Sequence, residues 1–215
     1  IFRFHPSQQL LPKHKYQHIY APFAYTLMTY KWLLEKDFKQ VVNYNKSDLF
    51  KAKDQSLGMV WTKLIVGKLF HFSVFYALPM LLGAPWYLVL WGNVVMHVIA
   101  GFILSITFQL AHVVDKAEFP TEEEVQNITN LEHQMKTTAN FATRNWLVTW
   151  YTGGLNFQVE HHMFPTINHI HYPKIAEIVR KTAAEFELPY NEYRTTMSAI
   201  KGHFRHLRNM GMQPA

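Results

Sequence analysis

Four side chains capable of metal binding or proton transfer, Gln158, Glu160, His161 and His162, fall within five residues of the segment "GGLNFQVEHHMFP". In a helix, Gln158 lies one turn before His161 and His162, at i+3 and i+4, so these three can address one locus. The two histidines are neighbours and diverge by about 100° around the helix axis. Imidazoles aimed apart serve a single ion poorly and two adjacent ions well, one each. The chain has 13 histidines and no cysteine, which leaves imidazole and carboxylate as the metal donors. Imidazole suits iron, zinc and copper, and spacing does not choose among them. Glu160 points elsewhere and is expected to orient a ring N–H from behind. The competing reading of "QVEHH" is a solvated polar turn of helix. Against it stands the position of the segment, close to an apolar block that ends at another histidine, His112.

The remaining histidines carry less. His14 and His18 are spaced i, i+4, but "KHKYQH" is basic enough to read as a solvated face. His169 and His171 sit in a proline-bounded segment that they can cap. His203 and His206 belong to a basic, weakly patterned tail and read as bystanders. Asn93 and His97 lie one turn apart in the middle of the apolar block, where a polar group needs an internal partner. They either line an apolar substrate channel or bridge two helices.

The elements that must position these residues follow from the charge pattern. A mean hydropathy of −0.10 resembles a soluble protein, but the average conceals a run of 46 uncharged residues between Lys68 and Asp115. That is more than twice the roughly 20 residues one membrane-spanning helix needs, so the run reads as two spans. The first is expected from about Ile65 to Leu82, with Lys63 and Lys68 reaching back to the interface. "LGAPW" makes a turn, and the second span runs from Trp86 to Phe108, about 34 Å of helix. One further turn brings His112 to the membrane edge. The excess charge of +6 lies outside the apolar block, which places both outer segments in the cytoplasm. A basic balance without a basic stripe or nucleic-acid motif excludes nucleic acid as partner and suits anionic lipid headgroups.

Three segments result: residues 1–56, a cytoplasmic connector followed by an amphipathic interfacial helix around Phe23 to Val41; residues 57–113, two transmembrane helices; and residues 114–215, a cytoplasmic cap. Within the cap, Met135, Thr138, Phe141 and Trp146 have near-helical spacing. Ile175, Ile178, Val179, Ala183 and Phe186 form the apolar face of an amphipathic helix.

The segment "NWLVTWYTGGLNFQVEHHMFPTINHIHYPKIAEIV" resembles the third histidine box and following helix of the membrane fatty acid desaturases, the front-end acyl desaturases above all. Gln158, His161 and His162 match the family box [H/Q]-x-x-H-H. "FQLAH" places His112 where the family supplies a further ligand, and "HQMKTTANF" resembles the stretch leading to the box. The resemblance implies an all-α integral membrane helical hairpin with cytoplasmic amphipathic helices, part of a four-span desaturase-like fold. It implies two iron ions on the cytoplasmic face, with His112, Gln158, His161 and His162 as metal ligands and no catalytic residue beyond them. The implied reaction is O2-dependent insertion of a double bond into an acyl chain carried on a lipid, on CoA or on ACP, with electrons from cytochrome b5 or ferredoxin.

The first two boxes of the family, H-x-x-x-H and H-x-x-H-H, have no suitably placed match. The chain, which starts at Ile1, is therefore expected to be the C-terminal part of a longer protein and inactive alone. Gln158 is a weaker donor than the usual histidine and binds through its amide oxygen, through water, or not at all. A di-iron hydroxylase or ketolase, a zinc-binding membrane protein and a non-catalytic membrane scaffold remain as alternatives.

Overall fold

The computed structural model describes residues 1–212. Among the described residues the regular structure is helical apart from one parallel two-residue strand pair. A 3-10 turn, Pro12–Tyr16, leads into α1 (Gln17–Thr26), α2 (Met28–Lys31), a π-turn Trp32–Lys36, α3 (Asp37–Lys46) and α4 (Leu49–Ala52). The hairpin follows: α5 (Leu57–Phe72), a π-turn Ser73–Ala77 and α6 (Leu78–Leu81) form one continuous rod, and α7 (Trp86–His112) returns. Then come α8 (Glu122–Asn127), α9 (Asn130–Thr137), β1 (Asn140–Phe141), α10 (Trp146–Tyr151) and α11 (Gln158–Met163). A 3-10 turn His169–His171, α12 (Tyr172–Glu185), β2 (Glu192–Tyr193) and α13 (Thr196–Met212) complete the order.

The two rods of the hairpin, Leu57–Leu81 and Trp86–His112, are 25 and 27 residues long, and each is apolar enough to cross a membrane. Their side chains are not a soluble core. No part of the first apolar window is buried, and only a third of the second is. Phe70, Leu81, Trp86 and Trp91 are all more than 60 % exposed. An apolar surface of this size is stable only against lipid or another protein.

Chain contacts divide the protein into two compact units, Phe23–Ser105 and a second made of Ile1–Pro22 with the described chain from Ile106 onward. In the first, α7 approaches α1 closely at Gly101. A Cβ there would stand 2.5 Å from the Thr26 carbonyl oxygen, so only glycine permits the contact. Ser105 Oγ donates to the Tyr25 carbonyl at 3.2 Å one turn later. Lys68 does not snorkel to an interface as expected: its ammonium bonds Asp37 on α3 at 2.5 Å and its side chain is 14 % exposed. A partner inside the fold is the better solution for a cation too far along the span to reach water. The stretch expected as one interfacial helix is broken at Leu27 and by the π-turn, and Phe23, Leu27 and Leu34 stay exposed.

In the second unit, the segments expected to be loose are packed. Arg3 is fully buried, its guanidinium donating to the carbonyls of Gln8, Pro6 and Met210 at 2.6–2.7 Å. The tail forms α13, whose inner face carries Ala199, His203, His206, Leu207 and Met210. The spacing i, i+4, i+7, i+8 and i+11 is helical, and it was hidden because two of these positions are histidines. The helical expectation across Met135 to Trp146 is also corrected. Asn140 and Phe141 are extended and pair with Glu192 and Tyr193, and Ala142 turns the chain with φ of 50°. On α12, Val179 and Ala183 are buried as the pattern requires and Ile175 is half-buried, but Ile178 and, just past the helix, Phe186 are exposed, while Ala176, outside the pattern, is buried.

Candidate metal centre

The double glycine of the motif ends α10. Gly153 and Gly154 have φ of 59° and 80°, their N–H groups bond back to Trp150 and Thr149, and the chain reverses into α11. This is the left-handed stop that glycine makes without steric cost. At Gly154 a Cβ would also collide with the His169 side chain at 2.5 Å.

Helix α11 has no side chain capping its start from its own N-cap. Asn140 does that work from β1: its Oδ1 accepts the Val159 N–H at 2.9 Å, and its Nδ2 donates to Glu160 Oε2 and to the Tyr190 hydroxyl oxygen, both at 2.8 Å. Tyr190 in turn donates to Glu160 Oε1 at 2.8 Å. Glu160 is fully buried. Burial raises its carboxyl above the usual range, and the hydrogen bonds from Tyr190 and Asn140 oppose that rise. The expected role of Glu160 is thereby corrected. It orients no imidazole and instead anchors α11 to the strand beneath.

With α11 fixed, its histidines meet α7 and α12. His162 Nε2 lies 3.2 Å from His112 Nε2, and the two rings stand edge to face with centroids 4.9 Å apart. His161 turns away, its centroid 5.6 Å from that of His162, and its Nδ1 lies 3.2 Å from the Tyr172 hydroxyl. His112 itself is held from both sides. Ala139 N–H donates to the Ala111 carbonyl at 2.9 Å, and His203 Nδ1 donates to the Val113 carbonyl at 2.6 Å. The imidazole of His112 also bonds the Thr137 backbone. Burial holds the His162 imidazole below its ordinary value, with His112 and His161 acting in the same direction. A neutral imidazole is the form that binds metal.

Among the expected site residues, His112 and His162 are brought into contact and His161 stands beside them. Gln158 opens α11 and is 3 % exposed, and among the described residues its side chain hydrogen-bonds neither histidine. Asn93 and His97 are buried in the other unit, bonded to the Phe75 and Val89 carbonyls and to Thr29 respectively. No three His, Asp or Glu side chains among the described residues group closely enough to hold an ion by themselves. His169 and His171 form an exposed 3-10 turn, and His14 is buried with its Nδ1 accepting the Leu11 N–H.

His112 and His162 present imidazole nitrogens at a spacing that fits two donors to one metal ion. Two nitrogens each 2.0–2.1 Å from one ion lie about 3 Å apart, which is the His112–His162 separation. The Tyr172 hydroxyl can take the His161 Nδ1–H and leave Nε2 as the donor, the usual partnership behind a metal-bound imidazole. No carboxylate enters the set, which suits iron, zinc or copper over magnesium or calcium. Sequence reasoning missed Asn140, Tyr172 and Tyr190, and read His203 as a bystander. Asn140 lies in the quoted "TTANF", and His203 lies on the helical spacing of α13.

Comparison with known proteins identifies the family. A sequence profile described as "Fatty acid desaturase" matches residues 3–194. The chain is 36% identical over 203 residues to an acyl-lipid (8-3)-desaturase of Physcomitrium patens, covering 93% of this chain and 42% of that protein. It is 32% and 35% identical to sn-1 linoleoyl-lipid 6-desaturases of Arthrospira platensis and Synechocystis sp., covering 100% and 97% of this chain and 58% of each relative. The chain thus spans about half the length of these curated relatives. No solved structure matches it. With a profile match over most of its length, and with membrane-length helices ending at a histidine pair, this chain belongs to the fatty acid desaturase family of membrane oxidoreductases.

Proposed function

We propose that this chain forms the third-box half of a di-iron front-end desaturase that acts on lipid-linked acyl chains, with the metal site at the cytoplasmic membrane surface. The reading rests on one observation, the 3.2 Å approach of His112 Nε2, at the end of a spanning helix, to His162 Nε2 on α11. His112 and His162 would hold one iron, and His161, which turns away from them, would serve the other. Gln158 completes the family box at the start of the same helix. When bound, the iron pair supplies O2 activation and the removal of two hydrogens from adjacent CH2 groups.

This chain's own residues place that chemistry. An unreactive acyl chain offers no polar handle near the carbons to be oxidised, so the distance from headgroup to metal must be fixed by protein. Here α7 fixes it by carrying a ligand at the membrane boundary. The lipid-linked substrate class rests on the names of the three relatives given above, acyl-lipid or linoleoyl-lipid desaturases. The concentration of Lys and Arg outside the hairpin supports the cytoplasmic orientation and the docking of an acidic electron donor such as cytochrome b5 or ferredoxin. Missing ligands must come from outside this chain, so residues 1–215 alone are inactive.

The test is expression of the complete gene product in cells fed defined acyl lipids, with new double bonds located by mass spectrometry and iron counted in the purified protein. About two irons per chain and one new double bond are expected. His112→Ala and His162→Ala each remove the product and lower the iron content. Undiminished product in either variant refutes the assignment, and zinc in place of iron refutes the reaction class.

A further inference from the structure

Within the unit Phe23–Ser105, three buried side-chain atoms have no hydrogen-bond partner among the described residues: His71 Nε2, Asn93 Oδ1 and His97 Nε2. They are neighbours. The His71 and His97 rings have centroids 6.1 Å apart, and Asn93 lies one turn before His97 on α7. Asn93 Nδ2 donates to the carbonyl of Phe75, whose ring packs 4.8 Å from that of His71. Phe75 sits in the π-turn Ser73–Ala77, where the altered helical register leaves a carbonyl free to accept a side chain.

Hydrogen-bond accounting fixes what two of these atoms are. Thr29 Oγ1 uses its single hydrogen on the His97 carbonyl at 3.0 Å, so at 3.1 Å it can only accept from His97 Nδ1–H. A neutral His97 then presents a bare lone pair at Nε2. Neutrality is required, because the sequence has no Asp or Glu between Asp54 and Asp115 to compensate an imidazolium in the hairpin. Asn93 uses both Nδ2 hydrogens, on the Phe75 and Val89 carbonyls at 2.9 Å, so its Oδ1 is likewise an acceptor. Two acceptors one turn apart on the same face of α7 are thus left without a donor. A buried acceptor left in this state costs on the order of a whole hydrogen bond.

The spacing specifies the missing group. The contacting rings of His112 and His162 have centroids 4.9 Å apart, and those of His71 and His97 are 1.2 Å wider, too wide for a direct bond. One oxygen at about 2.8 Å from each nitrogen, seen at a near-tetrahedral angle, gives rings about 6 Å apart. We propose that the hairpin binds a single water molecule at its waist, which donates to His97 Nε2 and Asn93 Oδ1 and accepts from His71 Nε2–H. Water matches all three needs with no net charge. A metal cation would bring charge into hydrocarbon without a carboxylate to meet it. Asn93 and His97 are then a closed polar bridge between the two rods and not the wall of an acyl channel. The site is independent of the metal centre and does not rest on the proposed reaction.

The complete gene product, purified in detergent, tests this. His71→Phe keeps the ring contacts with Phe72 and Phe75 and removes the donor to the water. Thermal unfolding is expected to shift down by a few degrees, because two acceptors and the water lose part of their network. If the waist holds no ligand, the same change removes an unsatisfied polar atom, and an unchanged or raised Tm overturns the proposal. Titration of the wild type with zinc chloride is expected to leave Tm unchanged. A zinc-dependent rise that His71→Phe abolishes assigns the site to a cation instead. Should His71→Phe not fold, an experimental density map decides: a peak within hydrogen-bond distance of all three atoms supports the water, and its absence overturns it.

Discussion

Asn140 and Glu160 exchange a hydrogen bond that holds the histidine helix in place, and swapping their chemistries tests that claim quantitatively. Asn140→Asp keeps the acceptor for the Val159 N–H. It replaces the amide hydrogens that serve Glu160 Oε2 and Tyr190, both at 2.8 Å, with a second carboxylate oxygen. Two buried carboxylates at that distance repel, and a bond to a charged acceptor is lost. Breaking such a buried partnership costs about 3–5 kcal/mol. Glu160→Gln retains one acceptor and turns an N–H toward a donor, for about 1–2 kcal/mol. In the double variant the glutamine amide donates to the new aspartate and its oxygen still accepts from Tyr190, so every donor again has an acceptor.

The double variant is therefore expected within about 2 kcal/mol of wild type, against a sum of singles of at least about 4, a coupling of about 2 kcal/mol or more. Thermal unfolding of the complete gene product reads this directly. The conversion is about 2–4 °C per kcal/mol for 150–250 residues and smaller for a longer chain, so Asn140→Asp lowers Tm of the complete gene product by several degrees, and the double variant regains most of it. Iron content follows the same order if α11 carries ligands. A double variant as unstable as the two singles together refutes the network. Full stability with lost iron in Asn140→Asp would show that the pair positions the histidines without contributing to the fold.

Two further outcomes follow from the same unit. His203 is fully buried, and burial pulls its imidazole down to about 4 against the bond to Val113. Its folded value lies below the unfolded one, so its contribution is present above pH 6.5 and is lost as pH falls toward 4, about 3 kcal/mol in all. His203→Gln, which keeps a donor and does not titrate, is expected to flatten Tm against pH between 6.5 and 4.5; an unchanged slope refutes the assignment. Gly154→Ala meets both a φ of 80° and the His169 side chain at 2.5 Å, whereas Gly153→Ala meets only a φ of 59°. Gly153→Ala is expected to cost about 1 kcal/mol and to retain product, and Gly154→Ala to cost clearly more and to lose it; equal effects would show that the turn tolerates movement of His169.

The hairpin and the histidine box were legible because each has a strong one-dimensional signal. An uncharged run sets span number through a length requirement alone, and Gln158, His161 and His162 are adjacent in sequence. What was not legible depended on pairing between distant segments. Lys68 read as an interface anchor because Asp37 is 31 residues away. Phe141 fits a helical spacing by accident, and only the strand of Glu192 and Tyr193 makes it and Asn140 extended. Glu160 sits beside the box histidines in sequence yet faces the opposite way, toward Tyr190, 30 residues on. Arg3 and α13 were read as loose because their partners lie 207 residues apart, at opposite ends of the chain.

That long-range packing also explains how the end of a 27-residue helix, with His112 on it, is held in place. The last carbonyls of a helix have no N–H of their own to accept, and a frayed end would let His112 wander by a turn, about 5 Å. Here the carbonyls on either side of it are taken, Ala111 by the N–H of Ala139 and Val113 by the imidazole of His203. Ala139 directly precedes Asn140, which holds the start of α11. The backbone that caps α7 is therefore the same backbone that seats the histidine helix, and the 3.2 Å between His112 and His162 follows from that shared segment. A substitution that breaks the Ala139–Ala111 register is thus expected to act on both histidines at once.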